Sequence, residues 1–445
     1  MKKLLVPVFA FLVCMGFLAQ IGFAGGIDNK QNFSARYNAT GSRNAAIDGA
    51  DVAAYNPAGI MQQKNGFVLE GDVQVLMKSY ENRYVERSPA AHVMKDEDEP
   101  AIVPGIFATY KNDNWGAFGT FTVNGGGGHV NYENGCALLD SIEYIARGVA
   151  FQTAGGGAAG LAAMPGATFS NERIEADTYY LTTTVGGTFA FNNVFSVAAG
   201  GRYVLAQKEV KAFANTTAMG NLVGEYEEEA DGFGWIAGLN IKPSDSLLLA
   251  VRYESAVELT FETKHNGGTN VLGGTILGLA GKPNNGKYDR DLPAVLGLGV
   301  MFKPVDKLTL DLSYTYYFEE DADWDNEFGD ALDNSYDISI AATYAITNAF
   351  RISLGYMYTN VGIDPKDFGL TEKLSPVLDA NSIHFGMGYD FSENLTVEFG
   401  AMVNMYDQGR DATAPATTGA LGTIQSETEY NKYNTGIALG LIYRF

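Results

Sequence analysis

The sequence predicts an all-β fold, a 14-stranded antiparallel transmembrane β-barrel with an N-terminal hatch, or plug, in its lumen. Three observations lead there. Apolar and polar residues alternate with a period of two over unusually long segments. Short polar turns alternate with long linkers along the chain. The chain ends on an aromatic residue, Phe445, at the close of an alternating apolar run.

The alternation is clearest from Leu247 to Phe261. Leu249, Val251, Tyr253, Val257, Leu259 and Phe261 alternate with Ala250, Arg252, Glu254, Glu258 and Thr260. One face is greasy and the other is charged, which is the period of a half-buried strand. Leu308 to Phe318, Phe350 to Tyr358, Leu395 to Met405 and Tyr433 to Phe445 repeat the pattern. Soluble strands average about five or six residues, whereas crossing hydrocarbon takes about 9–11 tilted residues. In lipid every backbone group needs a partner, so a closed barrel succeeds where an open sheet fails. Tyr314, Tyr316, Tyr317, Phe318, Tyr356 and Tyr358 cluster at strand ends, as an interfacial girdle requires.

The amino end reads differently. Lys2 and Lys3 precede an apolar stretch, Leu4 to Leu18, and Gly22-Phe23-Ala24 offers small residues at a cleavage site. Residues 1–24 are therefore expected to be a signal peptide. No later apolar run is long enough for a membrane-spanning helix. The first strand is expected at Gly66, which leaves residues 25–65 as a hatch and 66–445 as the barrel. A polar segment of that size, held against a barrel this wide, would plug the lumen; the alternative is a flexible periplasmic tail.

The turns give the strand count. Tight connections fall at Asn112 to Asn114, Asn192-Asn193, Lys242 to Ser246, Lys303 to Lys307, Thr347-Asn348 and Ser392 to Asn394. Longer linkers fall at Glu81–Glu99, Gly125–Glu175, Ala212–Asp231, His265–Tyr288, Glu319–Asn334, Gly362–Leu378 and Asp407–Glu429. Short turns on one side and long loops on the other form the outer-membrane pattern, with both chain ends in the periplasm. The terminal Phe445 suits recognition by the barrel assembly machinery.

Composition excludes several functions. Loss of Lys2 and Lys3 takes the net charge from −22 to −24, which rules out non-specific nucleic acid binding. Cys136 is the single cysteine after residue 24, so no disulfide framework forms. His92, His129, His265 and His384 lack metal-ligand spacing. Gly155 to Gly160 fits G-x-G-x-x-G without the strand and helix that a dinucleotide site needs. Asp321, Asp323 and Asp325 begin like a calcium loop, but Asn326 and Leu332 stand where Gly and Glu are needed. No G-x-S-x-G elbow is present. Neither enzyme activity, cofactor nor metal is expected. The acidic stretches Asp96 to Glu99 and Glu227 to Glu229 read as solvated loops near lipopolysaccharide.

Two groups of residues are candidates for ligand contact. Leu138, Ile142, Ile145 and Val149 recur at helical spacing. They form either a landing surface for an apolar ligand or a helix packed on the barrel rim. Arg252, Glu254, Glu258, Asp311, Arg351, Glu398 and Arg444 face the lumen, where an ion-pair ladder is expected. Arg252 or Arg351 could instead meet an anionic head group.

Asp51-Val52-Ala53-Ala54-Tyr55-Asn56-Pro57-Ala58 resembles the hatch motif of the long-chain fatty acid transporter family (FadL), which includes TodX-like hydrocarbon channels. Gly232 to Val257 resembles a hairpin of that family, and Asp291-Leu292-Pro293-Ala294 a characteristic strand opening. The resemblance spans most of the chain after residue 24. It implies that Asn56, Pro57 and Ala58 belong to the hatch. It also implies a kinked third strand, here Trp115 to Val123, with a lateral exit at Asn124, Gly125, Gly126, Gly127 and Gly128. Glycines there weaken pairing. The chain departs from the fatty acid members in its long second outer loop and short third one, and no carboxylate ligand of the family aligns. The implied function is passive transport of long-chain fatty acids or similar hydrophobic compounds across the bacterial outer membrane. Alternatives are an aromatic hydrocarbon channel of the same family, a general or specific porin, and a structural or adhesive surface protein. The expected partners are outer-membrane lipid and lipopolysaccharide, a hydrophobic small molecule and, through Phe445, the assembly machinery. A monomer is expected.

Overall fold

Leu249 and Val251 are 38% and 39% exposed, whereas Ala250 and Arg252 between and beside them are 3% and 0% exposed. Greasy side chains point out and polar ones point in, the inverse of a soluble sheet. Leu354 and Tyr356 face outward in the same way, while Ser353 is buried inside. Only a lipid surround suits such an outer face.

The computed structural model describes residues 25–445 except 86–91, 97–99, 266–273, 277, 279–284, 326–330 and 412–426. The signal peptide expected over residues 1–24 lies outside the described residues. The barrel staves are β1 (Gly66–Val85), β2 (His92–Lys95 and Ala101–Asn112), β3 (Trp115–Tyr132) and β4 (Ser170–Ala190). They continue as β5 (Phe195–Thr216), β6 (Gly220–Ser244), β7 (Leu247–Glu254 and Thr260–His265) and β8 (Lys287–Asp289 and Ala294–Val305). The ring is completed by β9 (Leu308–Phe318), β10 (Ser335–Ala345), β11 (Phe350–Asn360), β12 (Ala380–Asp390), β13 (Leu395–Tyr406 and Gly409–Asp411) and β14 (Glu427–Arg444). This is a 14-stranded antiparallel barrel. β1 pairs with β14 from Val68–Arg444 to Val85–Glu427, which leaves no sheet edge. Phe445 donates its N–H to Phe67 O at 2.9 Å and tilts its ring against Phe67.

The six tight turns stand where the sequence places them. Three share one design. Asn192 Oδ1, Thr347 Oγ1 and Ser392 Oγ each accept two backbone N–H groups from the residues two and three ahead. The apolar residue before each, Phe191, Ile346 or Phe391, is exposed beside the aromatic rim.

Two linkers differ from expectation. Ala212–Asp231 is not a long loop, because β5 and β6 stay paired up to Thr216–Gly220. Their outward face turns charged at Glu209, Lys211, Glu225, Glu227 and Glu229, which reads as loop in sequence. Their inward face stays apolar at Val210, Ala212, Ala214, Leu222 and Tyr226, and packs under the second outer loop. At about 3.3 Å per residue, the 25 residues of β6 run far past the hydrocarbon. Likewise, Gly125–Gly128 does not end the third strand, since β3 continues to Tyr132.

The second outer loop forms α3 (Ala137–Thr153) and α4 (Gly157–Ala163). Inside the ring, residues 25–65 form α1 (Ala35–Thr40), α2 (Val52–Tyr55) and a 3-10 turn (Pro57–Gln62). The segment crosses the lumen. α1 rests on β11 to β14, and the 3-10 turn on β2 to β7.

The outward row sets a test. Leu354 is 60% exposed, so arginine there would be nearly neutral in a soluble protein. In a bilayer, Leu354→Arg should cost about 2–4 kcal/mol if near the midplane, read by denaturant unfolding of the barrel from vesicles. A cost near zero would refute the lipid-facing assignment.

Candidate functional site

The wall loses its regularity in β3. Val123 pairs with Leu181, Gly125 with Tyr180 and Gly128 with Thr178, so β3 carries two more residues than β4 here, Asn124 and one of Gly126 and Gly127. On the other side, pairing of β3 with β2 stops at Phe121–Ile106, although β2 runs on to Ala101. The two strands part there. Gly126 has φ +104°, and a Cβ on it would fall 2.1 Å from Thr178 O, so glycine alone fits.

The start of the described chain enters this break. Lys30 donates its backbone N–H to Asn124 O at 2.6 Å. A Cβ on Gly125 would lie 2.2 Å from Asp28 O, which shows how close the two backbones run. Side chains from β8 and from the segment beyond β9 hold this strap. Arg290 Nε meets Asp28 Oδ2 at 2.5 Å, and its Nη2 meets Glu372 Oε1 at 3.2 Å. The Arg290 guanidinium also lies 4.8 Å over the Trp324 ring. Glu319 accepts the Ile27 N–H at 2.5 Å and a second hydrogen bond from Ser335. Burial pushes the Asp28 carboxyl up, but Arg290, Lys208 and Lys30 outweigh it and hold it below its ordinary value. Ile27 packs with Trp324, Ile363, Phe368, Val377 and Leu378. Ile363, Val377 and Leu378 also line a cavity of about 710 Å³ between the outer loops. The outer mouth and the wall break thus share the same strap residues.

The rest of the internal segment is held by the wall. Asp72 on β1 accepts the Ala35 N–H at 2.8 Å, and Ser34 caps α1 through the Tyr37 N–H at 3.0 Å. Glu70 accepts the N–H groups of Asp51, at 2.9 Å, and Ala50. Asn56, Pro57 and Ala58 are buried at the foot of the segment. Asn56 Nδ2 donates to Ala46 O at 2.9 Å, Pro57 opens the 3-10 turn, and Ala58 O accepts from Ser196 on β5 at 2.9 Å.

Arg252 does not face open lumen. Its Nη1 donates to Ala54 O at 2.5 Å and its Nη2 to Gln31 Oε1 at 2.7 Å, so it fastens the internal segment. Arg351 is engaged by Glu398 and by Asp390, the latter at 3.4 Å. Among the helix residues, Leu138 and Ile142 are buried against Val130, Tyr132 and Phe169, so the rim holds them. Val149 is 59% exposed, and the Ile145 side chain lies outside what is described.

Alternation alone marks a further inward cation, on β5. Arg202, Val204, Ala206 and Lys208 share the inward face of β5. Arg202 Nη1 lies 2.8 Å from Glu254 Oε2, and Arg252 Nη1 lies 3.4 Å from Oε1 of the same carboxylate. Arg202 Nη2 is buried with no hydrogen-bond partner. Beside it stand Tyr180, Val204, Ala206, Val257, Leu259 and Phe261 in one apolar cluster. Lys208 Nζ sits 4.3 Å over the Phe261 ring.

Residues 175–445 match the model of a family described as outer membrane protein transport protein (OMPP1/FadL/TodX). A FadL homologue of Pseudomonas aeruginosa is similar in structure, with 14% identity and a TM-score of 0.65 over 94% of this chain and 99% of that one. The P. putida toluene transporter TodX gives 13% identity and a TM-score of 0.62 over 94% and 99%. The Ralstonia pickettii toluene transporter TbuX gives 13% and 0.58 over 93% and 98%. At such identities these likenesses concern the fold. A search of curated proteins finds no match. The family match spans more than half of the chain, so this lipid-facing barrel belongs to the outer membrane protein transport protein family (OMPP1/FadL/TodX), non-enzymatic channels that carry hydrophobic compounds across the bacterial outer membrane.

Proposed function

We propose that the substrate is a long single-chain amphipathic compound of the fatty acid class, carried passively. The observation that supports this is the pair Arg202 and Arg252 around the single carboxylate of Glu254, with Arg202 Nη2 unpartnered beside an apolar cluster. Two guanidinium groups on one carboxylate leave a net positive charge in a buried place. A carboxylate head group would balance it through a charge-assisted hydrogen bond, worth about 1.5–3 kcal/mol. The acyl tail would lie along Val204, Ala206, Leu259 and Phe261 and contribute about 0.8 kcal/mol per buried methylene. An aromatic hydrocarbon has no group to use the cation.

In this reading the ligand is captured by apolar surface on the outer loops, with Val149 a candidate contact and Leu138 and Ile142 as support. It then passes to the cluster above Arg202. Displacement of Ile27 to Lys30 opens the break at Asn124 to Gly128, and the ligand leaves sideways into the membrane. Asn56, Pro57 and Ala58 act as the fixed foot against which the strap moves. Arg252 positions the hatch and shares Glu254 with Arg202, whereas Arg351 braces the wall.

The second reading is an aromatic hydrocarbon substrate. It is favoured by the ring lining, where Phe261 stacks on Tyr288 at 5.5 Å and meets Tyr180 edge-on at 6.3 Å. Arg202→Gln separates the two. It should weaken binding of palmitate to the detergent-solubilised barrel by about tenfold, equivalent to about 1.4 kcal/mol, and leave toluene binding unchanged. An equal effect on both ligands would refute the head-group role.

The strap adds a pH dependence. Burial pushes Glu319, just beyond β9, up to about 7, against the opposing effect of its hydrogen bonds from Ser335 and Ile27 and of nearby Lys30. Its folded value is thus raised above the ordinary 4.5. The stability it contributes is fully present below that ordinary value and is lost as pH rises through about 7. Amide exchange at Ile27 should therefore quicken beyond its intrinsic pH trend over that rise, and Glu319→Gln should abolish the excess. An unchanged profile in Glu319→Gln would show that another group controls the strap.

A further inference from the structure

The barrel wall has a second lapse. β6 and β7 pair at Ile236–Glu254 and again at Glu229–Glu262, but no ladder pair joins them between. One residue bridges the interval. Ser255 donates its N–H to Trp235 O, and its Oγ accepts the Trp235 N–H, both at 2.9 Å. Beyond it the chain turns its hydrogen bonds to the other side. Val257 and Leu292 exchange N–H···O bonds at 3.0 Å in both directions, and Arg290 N–H reaches Leu259 O at 3.0 Å.

The sequence is built for this lapse. A Cβ on Gly232 would fall 2.3 Å from Glu258 O and 2.7 Å from a Val257 methyl, and one on Gly234 2.9 Å from both Ser255 Oγ and a Val257 methyl, so the two glycines let the segment from Ser255 to Glu258, with the Val257 side chain, lie against them. On the outer face, Phe233 and Trp235 are 77% and 50% exposed, with Tyr203 4.8 Å from Phe233 and Tyr253 5.2 Å from Trp235. The outward residues below are Leu239 and Ile241, and those above are Asp231 and Glu229. The lapse therefore sits where lipid chains meet the outer head groups.

The ladder also links it to the first break. Gly125 pairs with Tyr180, Tyr180 with Ala206, and Ala206 with Ala230. Tyr180, Ala206 and Ala230 face inward and join Val257, Leu259 and Phe261 in one buried apolar cluster. One greasy row thus runs inside the wall from the glycine break of β3 to the lapse between β6 and β7.

We propose that this lapse is a second lateral portal, through which apolar chains dissolved in the outer leaflet reach the lumen, with Val257 as its stopper. The proposal rests on the transport reading above and adds an intake from lipid to the outer-loop route. Transport would then run from membrane to membrane along the apolar row, without a passage through water.

Disulfide locking tests it. Gly234→Cys with Ser255→Cys, in a Cys136→Ala background, joins the strands where a Cβ on Gly234 lies 2.9 Å from Ser255 Oγ. Leu239→Cys with Val251→Cys joins the same strands at a regular pair and serves as control. Each barrel is reconstituted in vesicles containing a diazirine-bearing palmitic acid, and photolabel on the peptides around Tyr180 and Val204 is measured by mass spectrometry. Oxidation of the first pair should remove most lumenal label, reduction should restore it, and the control should keep it. Full label in the oxidised first pair overturns the portal. So does a parent protein labelled only when the probe is added from water, which leaves the transport reading intact. No lumenal label by either route overturns both.

Discussion

Backbone satisfaction in lipid is the constraint on which this structure depends. Water is absent from the bilayer core, so each unpaired N–H or C=O there costs several kcal/mol. The ring answers this by pairing every stave with two neighbours and closing β1 on β14. Within such a wall, a lapse in pairing needs a local cause. Both lapses have one. At the first, glycines and extra residues bend β3, and the strap supplies the Lys30 N–H to the freed Asn124 carbonyl. At the second, two glycines admit Val257 and a serine hydroxyl replaces a ladder partner.

The same constraint explains why the hatch has the form it does. A wall that is greasy outside turns its polar residues inward, and buried polar groups need partners. α1 has 6 residues and α2 has 4, too short to hold their shape alone in water. Wall groups complete them. Asp72 and Glu70 take up N–H groups at helix starts, and Arg252 takes up the Ala54 carbonyl. The internal segment is thus shaped by the lumen it fills. Its leading end differs, because Ile27 is held by Glu319, just beyond β9, and Asp28 by Arg290, between the two segments of β8. That end packs against residues of the outer mouth, whereas the foot at Asn56 to Ala58 is bonded to the wall through Ser196.

Much of the fold was legible because its causes are local. Side-chain alternation follows from strand geometry, and strand length from bilayer thickness, so both appear in consecutive residues. Turn chemistry at Asn192, Thr347 and Ser392 is local as well. Over Ala212–Asp231 local pattern misleads, because charge on the outward face hides an apolar inward face covered by a distant helix. The end of β3 is hidden too, because glycine weakens a strand in isolation while pairing with β4 carries it on to Tyr132.

By itself the sequence determined the barrel class, the number of staves, the six tight turns and the glycine cluster in β3, since each arises from neighbours along the chain. Only the tertiary structure decided where the charges meet. Asp28 and Arg290 are 262 residues apart in sequence, and Arg290 and Glu372 are 82 apart. Nothing in their local spacing pairs them. Arg252 was visible as an inward cation, yet its partners Ala54 and Gln31 lie about two hundred residues away, in a segment whose path depends on the completed ring. Alternation gives the direction of most side chains, but it inverts beyond Ser255, where Val257, Leu259 and Phe261 turn inward and Glu258, expected in the lumen, is exposed. Closure of the barrel says what each side chain finds there.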